Sequence, residues 1–553
     1  MDEALDLVLD GGAGGQDRRH VLGDDLQVDR VLRVPAPGLG VREVGHQGGV
    51  RVARSQPGVG TDREGGHPAD RLRKPAELGE RGGAALLVGV VGPGEHDHVA
   101  QHACQPPSRT DRRASDPRRS GSPAGVVRVP VMGRPLRIAL LSYRSKPHSG
   151  GQGIYVRALS RELTELGHDV QVLSGQPYPE LDEGVPLVQV PSLDLYRDPD
   201  PFRIVRPSEI RDWIDVAEWA NMAVAGFPEP LTFSLRAARL LLGGRGGSSL
   251  APFDIVHDNQ CLGYGLLRLV KADVPTVATV HHPVAIDRQL DLAAAPSRYR
   301  KLTLRRWYAF TRMQARVAPR LDAITTVSES SRADIGTHLG VPAERIEVIP
   351  VGIDPDVFTP PPADRPRDPE SIVVITSADV PLKGLVHLLE AVAKLRTERA
   401  VTLTVVGSAR PGGPAESALD RLALHDAVTF TGSVPEAELV RLLQQAAVVA
   451  IPSLYEGFSL PAIEAMACGT PLVTTDAGAL PEVVGSQAGL RVKAGDVDEL
   501  TAALRLVLDS PSLQEQLGRA GRRRVLASYT WRSAAERTAA WYAEVLDRKK
   551  TDR

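Results

Sequence analysis

Twice along this chain, short runs rich in Val, Ile and Thr alternate with longer amphipathic stretches, and this double alternation limits the fold more than any other feature. Parallel strands need a crossover between them, normally a helix, so the pattern predicts α/β layers with parallel sheets. In the first series strands are predicted at 136–143, 170–174, 254–257, 275–281, 322–327 and 346–350, with helices at 151–166, 264–271, about 298–318 and 329–338. The stretch 178–250, with its prolines, aspartates, Trp213 and Trp219, reads as loops and a helix inserted into the first sheet. Prolines crowd the residues after Val351 and mark a linker. A second series follows, with strands near 372–377, 401–406, 428–431, 447–451 and 471–475 and a last helix at about 531–547. Two doubly wound sheets joined in this way put a cleft between two sets of strand C-terminal ends, where such folds bind ligands.

The alternation begins only near Met132. Residues 1–131 contain no Phe, Trp, Tyr or Ile. With so little apolar surface to bury, they cannot offset the entropy of ordering a backbone, and a disordered extension is expected. His96, His98, His102 and Cys104 have metal-ligand side chains at close spacing, but zinc sites usually add a folded turn and a second pair, so the cluster reads as solvated tail. Met132 is expected to be the true start, the preceding residues arising from a start codon placed too early; abundant peptides from 1–131 in the native protein would disprove this. The 66 Lys and Arg nearly balance 68 Asp and Glu, so no overall basic field argues for nucleic acid. Cys104, Cys261 and Cys468 lie far apart, which excludes a disulfide scaffold and fits a reducing compartment. Asp2 and Glu3 follow Met1 where a secretory leader would be basic. The early apolar run 84–91 is far short of the ~20 residues a membrane helix needs. A cytoplasmic location is expected, with room for contact at the inner face of a membrane.

The densest chemistry lies at 451–471, which reads IPSLYEGFSLPAIEAMACGTP. A buried strand leads through a short loop into a helix from about 460, with Ser459 as its expected N-cap and Pro461 in its first turn. Free backbone N–H groups over 458–461 would then form an anion site, strengthened by the helix dipole and suited to a diphosphate. Glu456 precedes that site and Glu464 lies about one turn into the helix. Carboxylates accept hydrogen bonds from vicinal hydroxyls in pairs, which suits sugars and ribose.

This stretch resembles the retaining family 4 glycosyltransferases of the GT-B fold, whose signature is two glutamates separated by seven residues. Glu456 and Glu464 have that spacing, within matching Gly457, Phe458, Pro461, Ala465, Gly469, Thr470 and Pro471. The resemblance covers essentially 136–547. It implies two Rossmann-like α/β domains facing a cleft: an acceptor domain at 132–350 and a nucleotide-sugar-binding domain at 351–530. A C-terminal helix at 531–549 would pack back toward the first domain. It further implies that Glu456 holds the donor sugar and Glu464 the nucleotide ribose, with Gly457, Phe458, Ser459 and Leu460 around the donor. His281, in the run ending a strand at Thr279, matches the family histidine that contacts the donor hexose. Gly150, Gly151 and Gly153 match the glycine loop beside donor phosphate and acceptor. Pro481 and Glu482 resemble the segment after the glutamates, where Glu482 reads as structural.

One position departs from the family. Its members usually carry an Arg five residues before a Lys-Gly pair, both cations binding the donor diphosphate. Lys383 and Gly384 match, but Ala378 stands at the Arg position and Asp379 follows. Arg410, at a nearby strand end, is a candidate replacement. Lys383 is expected to stabilise charge on the leaving phosphate.

Arg298 to Arg316 is basic and aromatic and contains no acid. It reads either as a helix packed on the first sheet with a solvated basic face or as a peripheral contact with an anionic membrane. Together these features predict a metal-independent hexosyltransferase that needs no cofactor beyond its nucleotide-sugar donor, carrying UDP or GDP. The acceptor would be a glycan, a lipid or a small molecule. By the resemblance, transfer retains configuration without a protein nucleophile. An epimerase or phosphorylase on the same fold, or a non-catalytic sugar-nucleotide-binding protein, are the rival readings; Ala378 favours the last.

Overall fold

A computed structural model describes residues 134–145, 151–197, 203–243, 252–376 and 380–551. The extension 1–131 with its His and Cys cluster, Gly150, Ala378 and Asp379 lie outside the described residues.

The first domain is built on β1 (Arg137–Ser142), β2 (Asp169–Ser174), β3 (Leu187–Gln189), β4 (Ile255–Asn259), β5 (Thr276–Val280), β6 (Ala323–Thr326) and β7 (Ile346–Val348). These form one parallel sheet in the order β3-β2-β1-β4-β5-β6-β7. Helix α1 (Gly151–Glu165) joins β1 to β2, α2 (Trp213–Ala223) and α3 (Glu229–Leu242) follow β3, and α4 (Gly265–Lys271) follows β4. Helices α5 (Val284–Ala294), α6 (Arg298–Trp307) and α7 (Phe310–Val317) lie between β5 and β6, and α8 (Glu329–Leu339) follows β6.

The second domain repeats the plan. Its elements are β8 (Asp368–Ile375), α9 (Leu385–Leu395), β9 (Thr402–Val406), α10 (Pro414–Leu422), β10 (Val428–Phe430), α11 (Glu436–Gln445) and β11 (Ala446–Ile451). Then come α12 (Leu460–Ala467), β12 (Leu472–Thr475), α13 (Leu480–Val484), β13 (Gly489–Val492), α14 (Val497–Leu508) and α15 (Pro511–Ser528). The parallel sheet runs β10-β9-β8-β11-β12-β13. Every residue of β11 is buried, as expected of a central strand covered on both faces.

Strand order reverses between β1 and β4 in one sheet and between β8 and β11 in the other. Loops leaving adjacent strands at such a point diverge to opposite faces and open a crevice, the usual ligand position in these folds. The loop after β8 carries Lys383 and the loop after β11 carries Glu456, so both reach the same crevice.

The final helix, α16 (Trp531–Thr551), packs on α1 of the first domain. Trp531, Ala535, Trp541 and Tyr542 are buried along it. Its far end is tied down where Lys549 Nζ meets Asp322 Oδ1 at 2.9 Å. The Tyr542 hydroxyl lies 2.5 Å from His257 Nδ1 in β4. The outgoing and returning chain segments run side by side, Ile353 N–H donating to the Tyr529 carbonyl at 2.9 Å.

Several sequence expectations need correction. The helix expected over 298–318 is broken at Tyr308 and Ala309 into α6 and α7. Successive residues on one helix point about 100° apart, and the break lets Trp307 and Phe310 both pack against Phe227, while the Tyr308 hydroxyl donates to Asp291 at 2.7 Å. Among its described residues the 178–250 insertion holds a short edge strand and two α-helices rather than one. Strand β13, whose Gly489 weakened the pattern, was not expected at all.

Candidate active site

One side of the crevice is held by charge pairing. Lys383 ends a 3-10 turn, Pro381–Lys383, and its Nζ lies 2.9 Å from Glu456 Oε1. The same oxygen accepts from the Ser453 hydroxyl at 2.8 Å. Glu456 is buried and Lys383 reaches partly into solvent. A buried carboxylate that is both paired and hydrogen-bonded is held in one orientation. Glycines let the loops close this tightly. Gly384 has φ +69°, and a Cβ there would sit 1.9 Å from the Pro452 carbonyl oxygen. Gly478 has φ +54°, and a Cβ there would meet the Glu456 carbonyl oxygen at 2.1 Å.

Helix α12 starts beside this pair. Ser459 occupies its N-cap position, but the expected side-chain cap is not made: the residue is left-handed, with φ 91°, and its buried hydroxyl has no partner. In that conformation the side chain turns away from the first-turn N–H groups it would have to cap. Pro461 carries no N–H, so donors toward an anion come from Phe458, Ser459 and Leu460 rather than from all of 458–461. The Phe458 side chain is buried against Tyr529, ring centroids 5.9 Å apart, so it is not open to the crevice. Glu464 sits one turn further on. Burial, reinforced by the charge of Glu436, pushes its carboxyl up to about 7.

Opposite stands His281, just past β5. Its Nε2 lies 2.9 Å from Asn259 Oδ1, its backbone N–H donates to Gln260 Oε1 at 2.6 Å, and the Tyr155 ring meets the imidazole edge-on at 4.8 Å. Burial, then the nearby His282, pulls its imidazole down to about 4, so it is neutral near pH 7. With Asn259 Oδ1 accepting, Nε2 carries the proton. His282 behaves oppositely: burial opposes its charge, but Asp287 at 2.8 Å raises it overall. Asn259 and Gln260 escaped the sequence reading. The available signal was the polar run His257–Gln260 closing an otherwise apolar strand, all of it buried.

The two sides meet at the start of α8. Its N-cap Ser328 donates to the Gly457 carbonyl at 2.6 Å, and Ser331 donates to the same oxygen at 3.1 Å. Glu482 accepts from the N–H groups of Glu329 and Ser330 at 2.8 and 3.1 Å. The Tyr455 hydroxyl donates to Asp334 at 2.6 Å. Glu482 therefore caps a helix of the other domain, a structural task. Gly151 opens α1, exposed and with open space around it, and Arg410 lies exposed in the loop after β9, the strand beside β8. Among the described residues no group of three or more His, Cys, Asp or Glu side chains could hold a metal ion.

Two parallel-sheet domains, each with its own strand-order reversal, have the architecture of the GT-B fold, and comparison with known proteins supplies the family. Residues 149–357 match the model described as Glycosyltransferase Family 4, and 361–524 match Glycosyl transferases group 1. The chain is 55% identical over 416 residues to the "MMP alpha-(1->4)-mannosyltransferase" of Mycolicibacterium hassiacum, spanning 75% of this chain and 99% of that one. It is 31% identical to a glycogen synthase of Mycobacterium tuberculosis, over 74% of this chain and 94% of the relative. Among solved structures, sucrose-phosphate synthase from Thermosynechococcus elongatus superimposes with a TM-score of 0.54 at 22% identity, over 75% of this chain and all of that one. Anabaena HepE with UDP and glucose gives 0.52 at 17% identity, covering 74% and 99%. The chain belongs to the family 4 glycosyltransferases of the GT-B fold, and it is a glycosyltransferase.

Proposed function

We propose that this enzyme transfers a mannosyl group from a nucleotide-linked donor to the 4-hydroxyl of a sugar on a glycan acceptor, with retention of configuration. The observation that carries this reading is the Lys383–Glu456 pair beside Glu464, in a chain 55% identical to an α-(1→4)-mannosyltransferase. A (1→4) linkage needs the free 4-hydroxyl of a pyranose on the acceptor. An α product from an α-linked donor is retention.

In this reading Glu464 accepts hydrogen bonds from the ribose hydroxyls. Glu456 and neutral His281 hold the hexose. Lys383, the N–H groups opening α12 and Arg410 face the diphosphate. The bond from C1 to the diphosphate breaks, the acceptor oxygen bonds C1 on the same face, and the acceptor proton passes to the leaving phosphate. Charge grows on that phosphate, where a fixed cation is most effective. No metal is required, because protein cations and backbone donors do this work. The basic stretch 298–316 makes peripheral contact with an anionic membrane at the cytoplasmic face.

A screen of GDP-mannose, UDP-glucose, UDP-N-acetylglucosamine and ADP-glucose, with Glu464→Ala as control, tests the donor site. Tight binding of a mannose donor, lost in the control, is expected. Binding of none would favour a non-catalytic protein in which Ala378 has disabled the phosphate site.

A further inference from the structure

Helix α2 turns two acids inward beside Ile214 and two tryptophans outward. Asp215 and Glu218 face inward, 1% and 0% exposed, where Arg236 of α3 pairs with both. Its outer face carries Trp213, Val216 and Trp219, at 54%, 47% and 43% exposure, and Val224 just past its end at 54%. A surface helix of a soluble domain ordinarily has the reverse pattern. Buried acids are tolerated here because they are paired, but nothing in that pairing calls for tryptophans on the outside.

Helix α6 lies alongside, the Arg306 guanidinium donating to Asn221 of α2 at 3.3 Å. It exposes Tyr299 and Leu302, at 65% and 64%, between Arg298, Lys301 and Arg305. From 298 to 320 the chain has eight Arg and Lys and no Asp or Glu. The acids left at the start of α2, Glu209 and Asp212, are paired with Arg203 and Arg239. The exposed residues of the two helices are aromatic and aliphatic, and α6 adds cations.

We propose that α2 and α6 form a membrane-docking face. Trp213, Trp219, Tyr299 and Leu302 enter the headgroup boundary of an anionic bilayer, and the α6 cations contact its phosphates. This rests on the membrane contact read from 298–316 and adds the inserted apolar face, half of it on a different helix. Aromatic side chains favour the interface, and basic residues are drawn to anionic lipid. A glycan fits less well, because sugar sites edge their aromatic platforms with hydrogen-bond acceptors, and here the acids of α2 turn inward. A second copy fits less well, because α6 against itself would oppose like charges.

The test uses the full chain with vesicles of phosphatidylcholine, alone or mixed with phosphatidylglycerol. Co-sedimentation with the mixed vesicles and a blue shift of tryptophan emission are expected. Trp213→Ser with Trp219→Ser should lower vesicle affinity at least about tenfold and remove the shift, given the apolar area withdrawn. Melting temperature and transfer to a soluble acceptor should not change. Equal vesicle binding by wild type and this variant would overturn the inserted face while leaving membrane contact standing. In that case Arg298→Gln with Lys301→Gln and Arg305→Gln would still abolish binding. No binding of wild type to either vesicle would overturn both. Wild-type self-association that the tryptophan variant abolishes, with no vesicle binding, would assign the face to a second copy instead.

Discussion

Lys383 and Glu456 hold each other at 2.9 Å, so removing either changes the charge the other presents to a donor. Lys383→Ala should lower kcat by about 10²–10³-fold with the fold intact, the usual loss for one preorganised donor at a developing oxyanion; steady-state kinetics beside a melting curve checks this, and a near wild-type rate would remove Lys383 from the chemistry. Glu464 is set apart by its environment. Its carboxyl, ordinarily near 4.5, is pushed up to about 7 by burial. Below 4.5 both folded and unfolded chains hold the proton; between 4.5 and 7 the unfolded chain releases it first, so this group costs stability as pH rises through that window. Glu464→Gln should therefore raise the melting temperature of the ligand-free enzyme at pH 8 and leave it unchanged at pH 4. Donor affinity should fall below pH 7 in the wild type, as the carboxylate becomes an acid, and lose that dependence in the variant. The two glutamates and Lys383 were legible because their spacing sits in one unbroken motif. Asn259 and Gln260 were not, since their amides act on His281 only through the pairing of β4 with β5, a contact 21 or 22 residues away in sequence.

At the scale of elements, the loop from β11 into α12 depends on neighbours that contribute no side chain. Gly478→Ala would drive a Cβ into the Glu456 carbonyl and force a positive φ on Ala. It should cut activity at least about tenfold, mainly in kcat, by moving Glu456 off its pairing, since misplacement of about 1 Å at a catalytic group has effects of this size or larger. A variant with unchanged kcat would show that the loop has slack the geometry denies. The long strands and helices were readable from their periodicity. Strands β3 and β13 did not stand out although the equally short β7 and β10 did: β3 lies within the proline- and aspartate-rich insertion, and β13 opens on Gly489. The missing cap at Ser459 could not be read either: serine before a helix is the ordinary capping signal, and only the left-handed backbone cancels it.

Contacts that cross between the two described domains join them. Glu482 satisfies two N–H groups at the start of α8, so Glu482→Ala should destabilise that junction by about 1–2 kcal/mol, the usual worth of a helix cap. It should raise KM more than it lowers kcat if closure is what is lost; an unchanged KM would assign the contact to folding alone. Helix α16 returns across the crevice and places Tyr542 against His257, whose imidazole burial pulls down to about 3. His257 Nε2 reaches Thr279, which in turn reaches Tyr155 beneath His281. The two-sheet plan was legible because each half repeats strand and helix. The return of the last helix toward the first domain followed only from the family resemblance, and its partners Tyr542 and His257 were not legible, because they depend on where the chain ends up after the second sheet is complete.

The most direct test of the central claim is product analysis by NMR after incubation with GDP-mannose and a mannoside acceptor bearing a free 4-hydroxyl, for wild type and Lys383→Ala in parallel. An α-(1→4)-linked product from the wild type, formed with release of nucleoside diphosphate and nearly absent in the variant, is the predicted result. A β-linked product would contradict retention, and transfer undiminished by the loss of Lys383 would contradict the site.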